Sequence, residues 1–427
     1  MKILFYNHTG KVSGAERLLL MILSRLDREN FQSLVLCPKD GPLVQMVEEL
    51  DLAAETLPEL NARFTWRPNC LVRYLRSFLT LARALRARVA NSKPDVIHAN
   101  SIRAGLAATV ATFGLGIPVV WHLHDLLPRH PLSSAIRAFA FLSLHARMIA
   151  VSRAVADNFC GSFFPLYRRV SVILNAIDLA RFRSDDTVRR ETRAELQLDD
   201  KDLAIGIVGQ LTPRKGQLEL VKAFAKTVNE IPQGVLIVVG APLFNRDEDY
   251  AELLRCAASE LNDTSRTRIL GHRNDIGRLM QAFDLLVVNS SVEPFGLVIL
   301  EAMACGTPVL ATRADGIPEI IQHQRNGWLL PTGDEAALIG ALVELGTSAA
   351  IRSQLAVEGR KHVAASFTVD RYMADFQSFY QGLAQQNVVN QEKTGGSSWL
   401  NGLRNCELSP LPIQECQSRT GRSRQRR

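Results

Sequence analysis

Short β-branched and aliphatic runs alternate with stretches of helical periodicity over most of the chain. In the first half, residues 2–7, 31–38, 96–98, 118–124, 148–151 and 170–174 read as strands. Between them, residues 15–26, 71–90, 101–113 and 134–145 carry the apolar spacing of helices. This βαβ alternation predicts a mainly parallel sheet with helices on both faces. The pattern restarts after Asn175-Ala176-Ile177-Asp178. Strands are then predicted at 203–209, 235–240, 268–270, 285–290, 308–312 and 327–330, and helices at 216–229, 247–261, 275–283, 297–305 and 334–345. The polar segment 178–186 therefore marks a boundary. The expected fold class is α/β, with two doubly wound Rossmann-like domains, 1–177 and 178–366, facing a cleft. Residues 367–384 are expected to form a last helix that packs back toward the first domain. From 385 to 427 the chain turns to Gly, Ser, Gln and Arg, which predicts a disordered basic tail.

Composition narrows the classes. The 427 residues are 47% hydrophobic and 22% charged, which excludes wholesale disorder and collagen-like repetition. Fifty Lys and Arg against 43 Asp and Glu leave a formal +7. That mild excess suits a phosphorylated small molecule, an anionic membrane face or nucleic acid without choosing among them. Nucleic acid is the least expected partner, since an inert solvated tail explains the C-terminal basic run equally simply. The seven cysteines lack zinc-finger or redox spacing, so a reducing, cytoplasmic setting is expected. No signal peptide is read at the N-terminus, and the longest uncharged stretch, 105–121, is broken by Gly114, Gly116 and Pro118.

Four segments could carry chemistry. The sharpest is Glu293-Pro-Phe-Gly-Leu-Val-Ile-Leu-Glu301, a strand end, a turn and a helix start. Gly296 has no side chain, so a phosphate could approach its N–H and that of Leu297 at the helix N-terminus. Glu293 precedes the helix, and Glu301 lies far enough along to reach a ribose diol. The plainer reading makes Glu293 a helix-entry carboxylate and Glu301 a surface residue. The second segment runs from Gly209 through Gln210, Arg214 and Lys215 to Gly216, two cations at a strand-to-helix turn that suit a diphosphate. It is not a Walker A loop, and solvated cations are its simpler explanation. The third holds Gly10 and Gly14 before Glu16, without dinucleotide-binding spacing. The fourth is Trp121-His122-Leu123-His124-Asp125, where alternation sets both histidines on one face. A metal is less expected there than a hydrogen bond to a hydroxylated or anionic ligand. His98 could line the same rim or be a core histidine.

Together these residues resemble the retaining nucleotide-sugar glycosyltransferases of family four (group 1), which have the GT-B double-Rossmann fold. The resemblance spans about residues 1 to 380. It rests on the Glu-x7-Glu run with Ala302-Met-Ala-Cys-Gly-Thr-Pro-Val309, on Asp315-Gly316-Ile317-Pro318-Glu319 and on Asn326-Gly327. The glycine loop before Glu16, the His124-Asp125 pair, Leu174-Asn-Ala-Ile-Asp178 and the 209–216 loop add to it. The resemblance implies a metal-independent hexosyltransferase with no cofactor, the UDP- or GDP-sugar being a substrate. It implies that Lys215 is the principal cation on the diphosphate, with Arg214 and the Gly296 and Leu297 amides beside it. Glu301 would bind the ribose, and Glu293 the sugar hydroxyls. His124 would contact the sugar or its phosphate, Gly14 would lend an N–H to the leaving phosphate, and the base would lie near Arg273. Glu293, Lys215 and His124 are the expected catalytic set. Three positions depart from the pattern: Gln210 stands where an arginine is usual, and Ala176 and Asp315 replace glycines. Rival readings are a nucleotide-sugar epimerase and a non-catalytic nucleotide-sugar-binding protein of the same fold.

The expected acceptor is a glycan, a lipid-linked saccharide or a similar hydroxyl compound. In the first domain, Arg63, Arg67, Arg73, Arg76, Arg83, Arg86 and Arg88 interleave with Leu71, Leu75, Phe78, Leu79 and Leu85. One reading is a helix resting on anionic lipid, a peripheral contact with the inner membrane face. The other is an amphipathic helix with its apolar stripe in the core.

Overall fold

The computed structural model describes residues 1–60, 68–242, 247–259 and 266–394. Residues 1–380 form one compact unit, and residues 381–394 are the described part of a second. The first unit holds two sheets. In one, β1 (Lys2–Tyr6), β2 (Gln32–Pro38), β3 (Ala53–Leu57), β4 (Val96–Ala99), β5 (Val119–Leu123), β6 (Ala146–Ala150) and β7 (Val170–Val172) lie in the order β3-β2-β1-β4-β5-β6-β7. In the other, β8 (Leu203–Val208), β9 (Gly234–Val239), β10 (Thr267–Ile269), β11 (Leu285–Val288), β12 (Val309–Thr312) and β13 (Trp328–Leu330) lie in the order β10-β9-β8-β11-β12-β13. All the strand pairs named in the two sheets are parallel.

Helices supply the crossovers that parallel pairing requires. Around the first sheet run α1 (Gly14–Arg25), α2 (Leu43–Glu48), α3 (Pro68–Ser92), α4 (Ile102–Ala111), α5 (Pro131–Leu142) and α6 (Arg153–Cys160). Around the second run α7 (Asp186–Glu195), α8 (Gln217–Ala225), α9 (Glu248–Ser259), α10 (Ile276–Ala282), α11 (Leu297–Cys305), α12 (Glu335–Thr347) and α13 (Ala349–Ser366). Then α14 (Val369–Thr394) begins, and residues 381–394, the described part of the second unit, continue it. The basic tail anticipated at 385–427 lies, from residue 395 on, outside the described residues, as do Arg63 and Arg67.

The pattern missed five elements for physical reasons. The edge strand β3 reads Ala-Ala-Glu-Thr-Leu and buries only Leu57, so it lacks a buried strand's apolar run. The polar helix α7 is held by its ends: Asp185 accepts from the Thr187 and Val188 amides at 3.0 and 3.2 Å. The short helices α2 and α6 are too brief for a period to show, and α13 buries only Leu355, Gly359 and Val363.

The core explains the chain's central strands. All five residues of β5 and all six of β9 are buried, so both read as continuous apolar runs. The chain passes between sheets after β7 and returns where Ile177 pairs with Thr368. Tyr380, fully buried on α14, places its hydroxyl 2.9 Å from His98 Nδ1 on β4.

Candidate active site

Strand order reverses between β1 and β4 in one sheet and between β8 and β11 in the other. Crevices open where that reversal splays neighbouring loops apart, and ligands of such sheets bind there. The loops leaving these four strands hold most of the candidate residues.

In the second lobe, a 3-10 turn over Pro213–Lys215 ends at Gly216, with φ +66°. A Cβ there would lie 2.3 Å from the Asn289 carbonyl oxygen, so the loop closes on β11's exit only with glycine. The Ser291 amide donates to the Arg214 carbonyl at 2.8 Å and Asn289 Nδ2 to the Gly216 carbonyl at 3.0 Å. This seats Lys215 beside Glu293, and the ammonium and carboxylate form an ion pair. Both side chains are largely shielded, 15% and 10% exposed. Ser290 Oγ donates to the same Glu293 oxygen at 3.2 Å. The Glu293 amide donates to Asp315 Oδ2 at 2.9 Å. Asp315, one of the departures from the glycine pattern, thus orients the Glu293 loop while holding φ at +36°.

Gly296 caps α11 with φ +104°. It has no side-chain cap, and the helix has no acid in its first turn. The Ile299 amide donates to the Gly296 carbonyl at 2.9 Å, and the N–H groups of Leu297 and Val298, with the positive end of the helix dipole, are available to an anion. Further along α11, Glu301 is half-buried. Burial pushes its carboxyl above the usual range, and Arg17 and Arg181 oppose that shift. Arg214 is exposed, while Gln210 is half-buried and accepts at its backbone oxygen from Gln217 Nε2 at 2.8 Å.

The first lobe meets this site directly. A methyl group at Gly14 would lie 3.4 Å from Leu297 Cδ1, so the N-termini of α1 and α11 come together. His124 follows β5, with Nε2 3.0 Å from Asn100 Oδ1. Burial pushes its ring down to about 3, so it is neutral at physiological pH. Next to it, burial raises the Asp125 carboxyl; Arg214 opposes the shift, and Glu16 and Glu293 reinforce it. His122 and His98 are fully buried and 3.3 Å apart, which makes both core histidines. Among the described residues no group of three or more His, Cys, Asp or Glu is arranged to hold a metal ion.

Arg273 is not joined to this cluster. Its guanidinium engages Asp275 at 2.6 and 2.8 Å and Glu195 of α7 at 2.8 Å. Several residues that build the site left no signal of these contacts in the sequence. Besides Ser290 and Asp315 there is a bridge between the lobes, in which Ser152 Oγ donates to the Pro294 carbonyl at 2.7 Å. The Glu319 carboxylate accepts the Arg153 and Ala154 amides, both at 2.9 Å, at the start of α6. Glu319 belongs to a motif singled out by resemblance; its partners lie about 165 positions away, which no local pattern reads.

Known proteins resemble this chain in sequence and fold. The chain matches the family described as Glycosyltransferase Family 4 over residues 12–181 and the one described as Glycosyl transferases group 1 over residues 188–362. It is 30% identical over 320 residues to the D-inositol 3-phosphate glycosyltransferase of Stackebrandtia nassauensis, covering 71% of each chain. It is 25% identical over 343 residues to the Escherichia coli UDP-Gal:alpha-D-GlcNAc-diphosphoundecaprenol alpha-1,3-galactosyltransferase, covering 78% of this chain and 85% of that one. Among solved structures, Anabaena HepE in complex with UDP superposes with a TM-score of 0.76 at 27% identity, over 90% of this chain and all of that one. Sucrose-phosphate synthase from Thermosynechococcus elongatus, at 20% identity and a TM-score of 0.74 over 90% of this chain and all of that one, shares the fold. Two parallel sheets with opposed crevices, helix N-termini meeting between them and matches along both lobes lead to one assignment: the chain belongs to the family 4, group 1 glycosyltransferases.

Proposed function

We propose that the cleft binds a nucleoside diphosphate sugar and transfers its hexose, with retention, to a hydroxyl acceptor. The observation that carries this reading is the meeting of the α1 and α11 N-termini, Gly14 against Leu297, beside the Lys215–Glu293 pair. Free N–H groups from opposite lobes and a cation converge as a departing diphosphate requires. The diphosphate competes with Glu293 for the Lys215 ammonium. The freed carboxylate then accepts from sugar hydroxyls, and Glu301 binds the ribose. The bond from the anomeric carbon to phosphate oxygen breaks as the acceptor oxygen attacks from the same side. The acceptor proton passes to the leaving diphosphate, so no protein base is needed. No metal takes part, because Lys215 and the amides stabilise the departing charge. The structures of HepE with UDP and with UDP-glucose support a uridine donor.

The acceptor side is supported by α3. Its C-terminal half buries Leu81, Leu85 and Val89. Its N-terminal half exposes Val72, Leu75 and Leu79 along one stripe, with Arg73, Arg76 and Arg83 also exposed. An exposed apolar stripe among arginines suits the surface of an anionic membrane, where a lipid-linked acceptor resides. Among the described residues no single helix is long and apolar enough to cross a membrane; α12 and α13 pass together by composition but are bent by 96°. The contact proposed is peripheral, on the cytoplasmic face.

The test is a screen of UDP- and GDP-sugars for nucleotide release, with Glu293→Ala as control. The proposal expects release from at least one donor, lost by orders of magnitude in the variant while nucleotide binding persists. No release from any donor, or release unchanged by Glu293→Ala, overturns it.

A further inference from the structure

The donor reading leaves open which atom of His124 meets the sugar, and a directional chain of hydrogen bonds behind that residue answers it. Asn7 and Asn100 are buried between β1 and β4. Asn7 Nδ2 is 2.6 Å from the Thr9 carbonyl and 3.2 Å from Glu16 Oε1. Both partners only accept, so the Asn7 amide cannot be turned round: its NH2 faces them and its oxygen faces Asn100. Asn100 Nδ2 then donates to that oxygen at 3.0 Å and to the Ala15 carbonyl at 3.4 Å. This amide is fixed as well, by a second backbone carbonyl. Its remaining oxygen, Oδ1, stands 3.0 Å from His124 Nε2. An amide oxygen cannot donate, so Nε2 must carry the proton.

We infer that Glu16, Asn7 and Asn100 are positioning residues that hold His124 as the Nε2–H tautomer, leaving Nδ1 as an acceptor for a donor-sugar hydroxyl. The inference rests on the cleft being a donor site. It narrows the role of His124: an unprotonated nitrogen accepts from a hydroxyl and repels a phosphate oxygen. Burial keeps the ring neutral, with its pKa near 3, so the polarity does not reverse at physiological pH. Glu16 has a second duty. Its other oxygen, Oε2, accepts from the Ser13 amide at 2.9 Å and the Ser13 hydroxyl at 2.5 Å, at the start of the helix that carries Gly14. One carboxylate, 3% exposed, thereby ties the sugar-facing imidazole to the phosphate-facing amide. Outer partners of this kind fix tautomer and ring orientation in metal sites, and the same physics applies here without a metal.

The first test needs no donor. The full chain, labelled with nitrogen-15 histidine, has nine histidines, and His124 is assigned by the signal missing from His124→Gln. Long-range proton–nitrogen correlations at neutral pH should show Nε2 protonated and Nδ1 not. A protonated Nδ1, or averaged tautomers, overturns the inference. The second test uses Asn100→Ala. It should release the tautomer into exchange and lower the rate of nucleotide release from the sugar donor about tenfold, the loss of one oriented contact. Affinity for UDP without sugar should stay unchanged; a merely structural role would weaken it in step. If His124 shows the fixed tautomer but no nucleotide sugar is turned over, the chain of bonds stands and the donor reading is what fails.

Discussion

Replacing Lys215 by alanine separates the proposed role of the site from mere packing. In the wild type the ammonium pairs with Glu293, the two side chains being 15% and 10% exposed. Its removal leaves the carboxylate with Ser290 Oγ at 3.2 Å. Breaking a fully buried pair costs about 3–5 kcal/mol. This pair borders a cleft that water can enter, so the loss should be nearer 1–3 kcal/mol, the cost of an unsatisfied group. The effect on turnover is a different quantity. A charge-assisted contact to the leaving diphosphate is worth about 1.5–3 kcal/mol, which corresponds to roughly ten- to a hundredfold in rate. Thermal unfolding measures the first and nucleotide release from the donor, corrected for folded fraction, measures the second. Lys215→Arg, which keeps the charge, should recover part of the rate. If folded Lys215→Ala releases nucleotide at the wild-type rate, Lys215 does not act on the diphosphate and the reasoning is refuted.

Glu319→Ala leaves the Arg153 and Ala154 amides without their acceptor and should destabilise the protein by about 1–2 kcal/mol, the value of a helix cap, read by denaturant titration. It should also loosen the lobes, and an unchanged radius of gyration in solution scattering would argue against a latch. Gln210→Arg restores the cation usual in the family and should raise turnover about tenfold or more; a fall would place Gln210 outside the diphosphate site. Stability should also depend on pH. His98 and His124 are held by burial near 3 against an ordinary value of 6.5, and His122 well below it. Below pH 6.5 the unfolded chain binds protons that the folded chain refuses, so stability falls as pH drops from 6.5 toward 3. The melting temperature should decline over that window, and less steeply in His98→Gln.

The legible part of this protein is local. The strand-turn-helix over Glu293 to Glu301 announced an anion-ready helix start, and the structure shows Gly296 uncapped at its head. The parallel character of both sheets followed from alternation, because strands such as β9 are buried throughout and carry unbroken apolar runs. The alternation at 122 and 124 correctly set both histidines on one face, their rings 3.9 Å apart. What stayed hidden depends on distance in sequence. Asn100 meets Asn7 across 93 positions and Tyr380 meets His98 across 282, and no periodicity encodes such pairings. Arg273 shows the same limit: the sequence places a cation after a strand but does not read the Asp275 and Glu195 carboxylates that engage it. On α3 the core reading holds for Leu81, Leu85 and Val89, with Phe78 packed beside them, while Val72, Leu75 and Leu79 stay exposed.

The central claim is that the N-terminal turns of α1 and α11 grip one diphosphate. Amide hydrogen exchange, with and without saturating UDP or GDP, tests it most directly. Residues after Gly14 and after Gly296 should gain protection together with at least one of these nucleotides, and much less with the corresponding nucleoside. Protection of one helix without the other, or equal protection by the nucleoside, would contradict the account.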